Sequence, residues 1–349
     1  MKPNYLLVLL VLAAVLPGVG GRVALDAQQA RPANATGIRI LPVRGNIFVL
    51  SGAGGNVVAS VGKDGVLLVD SGNTASGEAL VAAVRELSRD VTAPRQVQKS
   101  CVGVTDGCSW WNSSGLLPTT SSPRAPKGVI GIVNTSFDPD HMGGNVAFQA
   151  AGKLPGARAP WVIAHEGAMP KDPQSVPYES LPTESYFGED KRLNFFNGEG
   201  VIVFHRPASH SGGDSVVQFR ESEVIAAGDI VNMSNFPVID LEKGGSAQGI
   251  VDTLNWLLDM MVVEHMMEGG TIVVPGHGRL TDSADVSYYR DMMTIITDRV
   301  RAAIKKGMSV EQVKAAGLTK DYDPRFGRNP AWTPAMFIEA VYRSLNAKG

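Results

Sequence analysis

Between Ile38 and Val69 the apolar positions fall into four short blocks, Ile38–Leu41, Ile47–Leu50, Val57–Val61 and Val66–Val69. Gly52-Ala53-Gly54-Gly55 and Lys63-Asp64-Gly65 separate the later ones. Short runs of β-branched and apolar residues bounded by Gly and Asp predict strands, and the Asp-Gly pair predicts a hairpin. The period then changes. From Ser76 to Leu87, Leu80, Val81, Val84 and Leu87 recur at helical spacing, which predicts a helix with one apolar face. Strand-like runs return at Gly128–Val133, Trp161–Ala164, Val201–Phe204, Ser215–Phe219, Val224–Ala227 and Thr271–Val274. Helical patterns cover Gly249–Met267, Asp285–Lys305, Ser309–Ala316 and Pro334–Leu345. Pro170–Asn197, long and Pro-containing, reads as a substrate loop, and Ile230–Gly245 as a second one.

Two departures modify this pattern. Arg95–Lys127 is rich in Ser, Pro, Gly and Thr, contains Trp110-Trp111, and reads as an insertion at about 95–127. It enters the amino end of the Gly128–Val133 strand, whereas chemistry in α/β folds gathers at carboxyl ends. The insertion is therefore expected on the face away from any site, as decoration or a partner contact. The second departure is an echo. Val57-Val58, Val66 and Asp70 recur 159 positions later as Val216-Val217, Ile225 and Asp229, each time a hairpin ending on an Asp. This points to two similar β-rich halves in one domain.

Composition narrows the class. The 349 residues are 44% hydrophobic and 19% charged with a net charge of -2, the profile of a soluble globular protein with ample length for a large core. That balance argues against nucleic acid or an anionic membrane surface as a partner and leaves a small-molecule substrate. Lys2 precedes an apolar run, Tyr5–Leu16, followed by Pro17-Gly18 and small or polar residues. The run is too short to span a bilayer and fits a secretory signal cleaved near Ala27 or Ala30. Residues 1–30 are thus read as signal and leader, and 31–349 as a single domain. A periplasmic or secreted location follows, without stable membrane insertion after cleavage. Cys101 and Cys108, the chain's two cysteines, lack metal-ligand spacing. A local disulfide suits an oxidising compartment but closes too short a loop to add much stability.

The densest chemistry lies in Asn134–Asn145, where Asp138, Asp140 and His141 surround Pro139 directly after an apolar run. Charge at a strand exit is costly unless a cation or a reaction uses it. Of six histidines, His141, His210 and His277 occupy turns directly after strands, as do Asp140 and Asp229. Strand-end turns on one sheet edge converge, so these five side chains could surround one ion. Mixed imidazole and carboxylate ligands suit zinc, iron or manganese.

The ordered set Gly54-Gly55-Asn56, Val69-Asp70-Ser71-Gly72, Asn134-Thr135, Asp140-His141, Gly143-Gly144-Asn145, Ala164-His165-Glu166, His210-Ser211-Gly212-Gly213-Asp214-Ser215, Gly228-Asp229 and Pro275-Gly276-His277-Gly278 resembles the metallo-β-lactamase superfamily. The resemblance covers about Ile38 to Leu345 apart from the insertion. It implies an α/β fold, a four-layer αββα sandwich built from two βα halves. It also implies a second metal site of Asp140, His141 and His277, a first-site ligand at His210, and Asp229 bridging both. His165, His205 and His265 correspond to no ligand and are read as structural.

The family's leading motif is His-x-His-x-Asp-His, and Ser136 and Asp138 stand here where its two leading histidines belong. Serine is a poor ligand for a divalent ion, so the first site keeps Asp138, His210 and Asp229, a set hard enough to favour iron or manganese. The expectation is one zinc ion at the second site and a weak, different or empty first site. The resemblance implies a secreted metal-dependent hydrolase of a small lactam, lactone, ester or thioester, with Asp140 or Asp138 as the catalytic carboxylate. No Gly-x-Ser-x-Gly or Ser-x-x-Lys motif offers a serine mechanism in its place. Two alternatives stand beside it: a catalytically impaired binding or regulatory protein on the same scaffold, and a mononuclear iron oxygenase. Oxygenases of this superfamily hold iron in the first site, the one rewritten here.

Overall fold

The four β-branched blocks at the start of the chain form β1 (Arg39–Arg44), β2 (Ile47–Ala53), β3 (Gly55–Gly62) and β4 (Gly65–Val69), an antiparallel meander. Three strands then add in parallel: β5 (Val129–Val133), β6 (Trp161–His165) and β7 (Glu184–Tyr186). A second sheet contains β8 (Asp190–Phe196), β9 (Glu199–His205), β10 (Ser215–Phe219) and β11 (Val224–Asn232), all antiparallel, with β12 (Ile272–His277) parallel to β11. The orders are β1-β2-β3-β4-β5-β6-β7 and β12-β11-β10-β9-β8. This computed structural model describes residues 37–92, 127–154, 156–263 and 269–346. The expectations for the leader, for Cys101 and Cys108 within the insertion, and for His265 fall outside them.

Successive residues on the inner strands bury opposite faces. Val58 points between the sheets with Val49, Leu67, Val217 and Phe219, while its neighbours Val57 and Ala59 pack outward against Leu80, Val84 and Leu87. Those three lie on α1 (Gly77–Thr92). In the second sheet Val217 points inward, and Val216, Ile225 and Val273 point outward onto a helical layer. That layer contains α4 (Ala247–Met260), α5 (Ser283–Lys305) and α8 (Pro334–Asn346), contributing Leu254, Leu257, Tyr289, Ile296 and Phe337. Strands apolar on both faces must be covered on both faces, and the result is the expected αββα stack. The two echoing segments are β3–β4 and β10–β11, each hairpin followed by a parallel neighbour, β5 and β12.

Shorter helices complete the chain: α2 (Pro139–Met142), α3 (Asn145–Gly152), α6 (Val310–Ala315) and α7 (Asp323–Phe326). The α6 start is legible as a capping box between Ser309 and Gln312. Among the described residues no helix is long and apolar enough to cross a membrane.

Three expectations need correction. Pro170–Asn197 is not a loop throughout, because it contains β7 and β8. The β8 strand is the edge of its sheet and carries Asp190, Lys191 and Arg192, the charge that protects an edge and hides the strand from an apolar pattern. The helix expected over Gly249–Met267 starts earlier, capped by Ser246, and stops before Met261, whose backbone is extended. The β11 strand runs beyond Ala227 to Asn232, with its register broken around Gly228.

Phe219 is fully buried between the sheets, and Phe195 is 78% exposed on β8. Phe219→Ala should therefore lower the unfolding free energy by about 3–5 kcal/mol, and Phe195→Ala by less than about 0.5 kcal/mol. Urea titration of the two variants measures both.

Candidate metal centre

The carboxyl ends of β4, β5, β11 and β12, with the turn between β9 and β10, converge on one edge of the sandwich. After β5 the chain makes a single helical turn, α2, with Asp138 at its N-cap and Pro139 in its first turn. This turn aims Asp140 and His141 in different directions. His141 is fully buried. Its Nδ1 lies 2.8 Å from Asp70 Oδ2 and its Nε2 lies 3.1 Å from Asp229 Oδ2.

Asp70 directly follows β4 in a left-handed conformation, φ 63°. It accepts hydrogen bonds from the Thr135 amide at 2.7 Å and the Thr135 hydroxyl at 2.8 Å. Held in this way, Asp70 keeps the proton of His141 on Nδ1 and turns Nε2 toward the site, the arrangement that orients a histidine ligand.

The two remaining imidazoles are held similarly. Nδ1 of His210 lies 3.0 Å from the Val238 carbonyl, and its Nε2 lies 2.7 Å from Asp138 Oδ2. His277 Nε2 sits 3.0 Å from Asp140 Oδ2 and 3.4 Å from Asp229 Oδ1. Asp140, His141 and His277 each present a ligand atom within 4.8 Å of the others, and so do Asp138, His210 and Asp229. Asp229, within reach of His141 and His277 as well, stands between the two groups. All six expected ligands thus come together, in the two expected sets. Ser136 is buried and donates to Asp138 Oδ2 at 3.3 Å, so it supports a carboxylate.

Titration is strongly displaced here. Burial opposes charge on His141, but the Asp229 and Asp70 carboxylates outweigh it and hold its pKa well above the ordinary value. Burial also opposes charge on Asp229, yet His141, His210 and His277 keep it well below the carboxylate range. Asp138 is depressed likewise against its burial, by His210 and then Lys243. Against its own burial, His210 is raised to about 10, chiefly by Asp138. The hydrogen bond between His277 and Asp140 raises the first and lowers the second. Such mutual dependence marks buried carboxylates that need positive charge among them.

A fit to metal can be tested on polar satisfaction. Buried His141 Nε2 and Asp229 Oδ1 make no well-formed hydrogen bond, only the ion-pair contacts to Asp229 Oδ2 at 3.1 Å and His277 Nε2 at 3.4 Å. Unpartnered buried polar atoms are rare and destabilising, each costing about 1–3 kcal/mol, and both of these face the Asp140–His141–His277 group. A divalent ion accepting both satisfies them, so this set fits a metal. The Asp138 group has its carboxylate already engaged, by His210 on one oxygen and by the Lys243 ammonium on the other.

His165 and His205 belong to neither group. Their rings stack at 3.4 Å between centroids and 11° between planes, His205 Nε2 lies 2.9 Å from the Gly212 carbonyl, and the Gly167 amide donates to His165 Nδ1 at 3.1 Å. Three residues escaped sequence reasoning. Asp70 appeared in the sequence as the counterpart of Asp229 in the echo and within the Val69–Gly72 motif, with no role assigned. Asp214 accepts from the Ser211 amide and hydroxyl, both at 2.7 Å, and shapes the His210 turn; burial raises its pKa to about 6. Lys243 carries no motif signal, and only folding brings it to Asp138.

Comparison with known proteins agrees with this geometry. The family model described as the metallo-beta-lactamase superfamily matches residues 51–277. No curated protein sequence matches the chain. Among solved structures, a double mutant of the sec-alkyl sulfatase PisA1 superposes with a TM-score of 0.58 at 14% identity, over 88% of this chain and 50% of that one. The inverting sec-alkylsulfatase Pisa1 from Pseudomonas sp. gives 0.55 at 15% identity, over 87% and 49%. The DIM-1 metallo-beta-lactamase gives 0.50 at 15% identity, over 74% and 97%. The chain spans about half the length of the alkylsulfatases it matches. At these identities the likeness is one of fold.

Two outcomes follow. Asp70→Asn, which loses the carboxylate that orients His141, should weaken divalent-ion affinity about 10- to 100-fold in a chelator competition. His165 titrates near pH 4, depressed first by burial and then by the His205 charge. A pKa lowered on folding means that the unfolded chain binds more protons between about pH 6.5 and 4, so stability falls as the solution is acidified through that window. His165→Asn should flatten this part of the stability profile, and NMR should find the His165 ring titrating near pH 4.

Proposed function

The chain belongs to the metallo-β-lactamase superfamily, and from that premise we propose that it is an exported metal-dependent hydrolase of a small lactam, lactone, ester or thioester. The observation that carries the reading is the pair of buried atoms without a hydrogen bond, His141 Nε2 and Asp229 Oδ1, facing Asp140 and His277. Zinc is the ion proposed for this set, with iron or manganese suited to Asp138, His210 and Asp229. Export is read from Lys2 and the Tyr5–Leu16 run.

Asp140, His141 and His277 would hold the zinc ion, which would supply Lewis acidity toward a water and a carbonyl oxygen. The chain's own contribution is orientation and proton transfer. Asp140, with 36% of its side chain exposed, is the carboxylate open to an incoming substrate, and His277 fixes one of its oxygens at 3.0 Å. Asp140 aligns the attacking water and takes its proton. Asp138 is less suited to that role, since His210 and Lys243 occupy its two oxygens. The alkylsulfatase neighbours extend the ester class to be tried to sulfate esters.

The same engagement of Asp138, with Ser136 in place of an imidazole, favours a second reading: a binding or regulatory protein on a scaffold that has lost hydrolysis. It also argues against the iron oxygenase, whose ion belongs at the first site. Metal analysis of the purified protein, followed by a screen of lactam, lactone, thioester and sulfate-ester substrates after loading, separates hydrolase from binding protein. A hydrolase binds at least one ion, and Asp140→Asn lowers its kcat by about 100-fold or more without emptying the site. A chain that takes up no zinc, iron or manganese and turns over nothing is the binding protein. Ser136→His combined with Asp138→His should raise zinc stoichiometry and activity together.

A further inference from the structure

We infer that the ammonium group of Lys243 takes the place of a metal ion at the first site, so that the centre is built for one ion and one tethered cation. The inference rests on the metal-binding reading of the second site. Its starting point is the contrast between the two groups of ligands. Around Asp140, His141 and His277, the buried His141 Nε2 and Asp229 Oδ1 make no hydrogen bond and contact only ionisable groups of the centre itself. Both oxygens of Asp138, by contrast, are taken: Oδ2 faces His210 Nε2 at 2.7 Å and the Ser136 hydroxyl at 3.3 Å, and Oδ1 faces the Lys243 ammonium. The positive charge that an ion would supply to this carboxylate comes from the chain.

Lys243 is placed there by the fold. Its turn precedes α4 and is locked to the turn that carries His210. The Gly212 amide donates to the Lys243 carbonyl at 2.8 Å, and the Asp240 amide donates to the His210 carbonyl at 2.9 Å. A Cβ added at Gly245 would lie 2.1 Å from the His210 carbonyl oxygen, so the two backbones are in direct contact. Asp240 meets the ammonium at 3.2 Å from its other side. The backbones of His210 and Lys243 are therefore locked together, and their side chains bring an imidazole and an ammonium to a single carboxylate. A dication entering this group has to displace or repel a charge next to its ligand, whereas among the described residues no lysine or arginine pairs with Asp140.

The two substitutions in the metal motif then gain a common explanation. An imidazole at position 138 would face the ammonium as a neutral group, while Asp138 neutralises it. Ser136 adds a hydroxyl donor to the same carboxylate. Both changes suit a site whose cation is covalently tethered.

The test is metal stoichiometry and affinity of the full chain, with Zn2+ and Mn2+ as the probes. Wild type should hold one tight equivalent. Lys243→Met should acquire a second, bound at least about tenfold more tightly than any second equivalent of wild type, the scale of one charge-assisted hydrogen bond. The first equivalent should change by less than about twofold, so that the gain is local and does not reflect net charge. With two Mn2+ bound, the isolated six-line electron paramagnetic resonance signal should broaden through exchange. The Lys243 side chain is 48% exposed, so the substitution should fold; Lys243→Gln repeats the measurement with a polar replacement. Lys171→Met, on a lysine that donates to the Glu242 carbonyl at 3.1 Å, should leave stoichiometry unchanged. Two equally tight ions in wild type, or one ion still in both Lys243 variants, would overturn the inference while leaving the second site intact. No ion in wild type would instead remove the metal reading beneath it.

Discussion

The functional edge of this sandwich depends on one imidazole held between two carboxylates from opposite halves of the chain. Asp70 leaves β4 and meets His141 Nδ1; Asp229 lies in β11 and meets Nε2. Each charge alone would be destabilising at such burial, and removing one member strands the others. The neighbouring backbone is correspondingly tight. Gly228 has φ 52°, and a Cβ there would sit 2.6 Å from the hydroxyl of Thr135, the residue that supports Asp70. A Cβ on Gly276 would lie 2.4 Å from Asp229 Oδ1. Glycine at these two positions lets β11, β12 and the turn after β5 approach closely enough for the carboxylates to share one centre.

The location of that centre follows from the burial of the strands. With β3, β4, β10 and β11 largely apolar on both faces, the ionisable side chains of the centre collect where strands end. The two echoing hairpins each deliver an Asp to this edge, and their parallel neighbours β5 and β12 deliver His141 and His277 just beyond or at their ends. Approximate duplication of a hairpin and its parallel neighbour thus brings similar chemistry from both halves to a single place.

Within this shared frame the two ligand groups solve the charge problem differently. On the Asp140 side, His141 Nε2 and Asp229 Oδ1 are buried among imidazoles and carboxylates without a hydrogen bond, an environment that suits an external cation. On the Asp138 side the chain brings its own cation, and Asp138 is fully engaged. The difference arises from the two rewritten positions of the metal motif together with a lysine that is distant from them in sequence.

Most of the architecture was determined by local sequence: β-branched blocks with apolar residues on both faces, helical spacing in α1 and α5, and turn residues between them. Six of the side chains at the centre were also legible, five because the pattern puts them near strand ends and Asp138 through the family resemblance. The polar edge strand β8 was not, since its charges serve the edge and its pairing energy comes from β9. Asp70 and Lys243 acquired their roles only in three dimensions. A carboxylate or an ammonium carries no local signal of its partner, and the contacts that define both are made across elements far apart in the chain. Sequence alone therefore determined the strands, the helices and the ligand candidates; tertiary packing decided which charge neutralises which, because burial makes that pairing obligatory and only packing sets the distances.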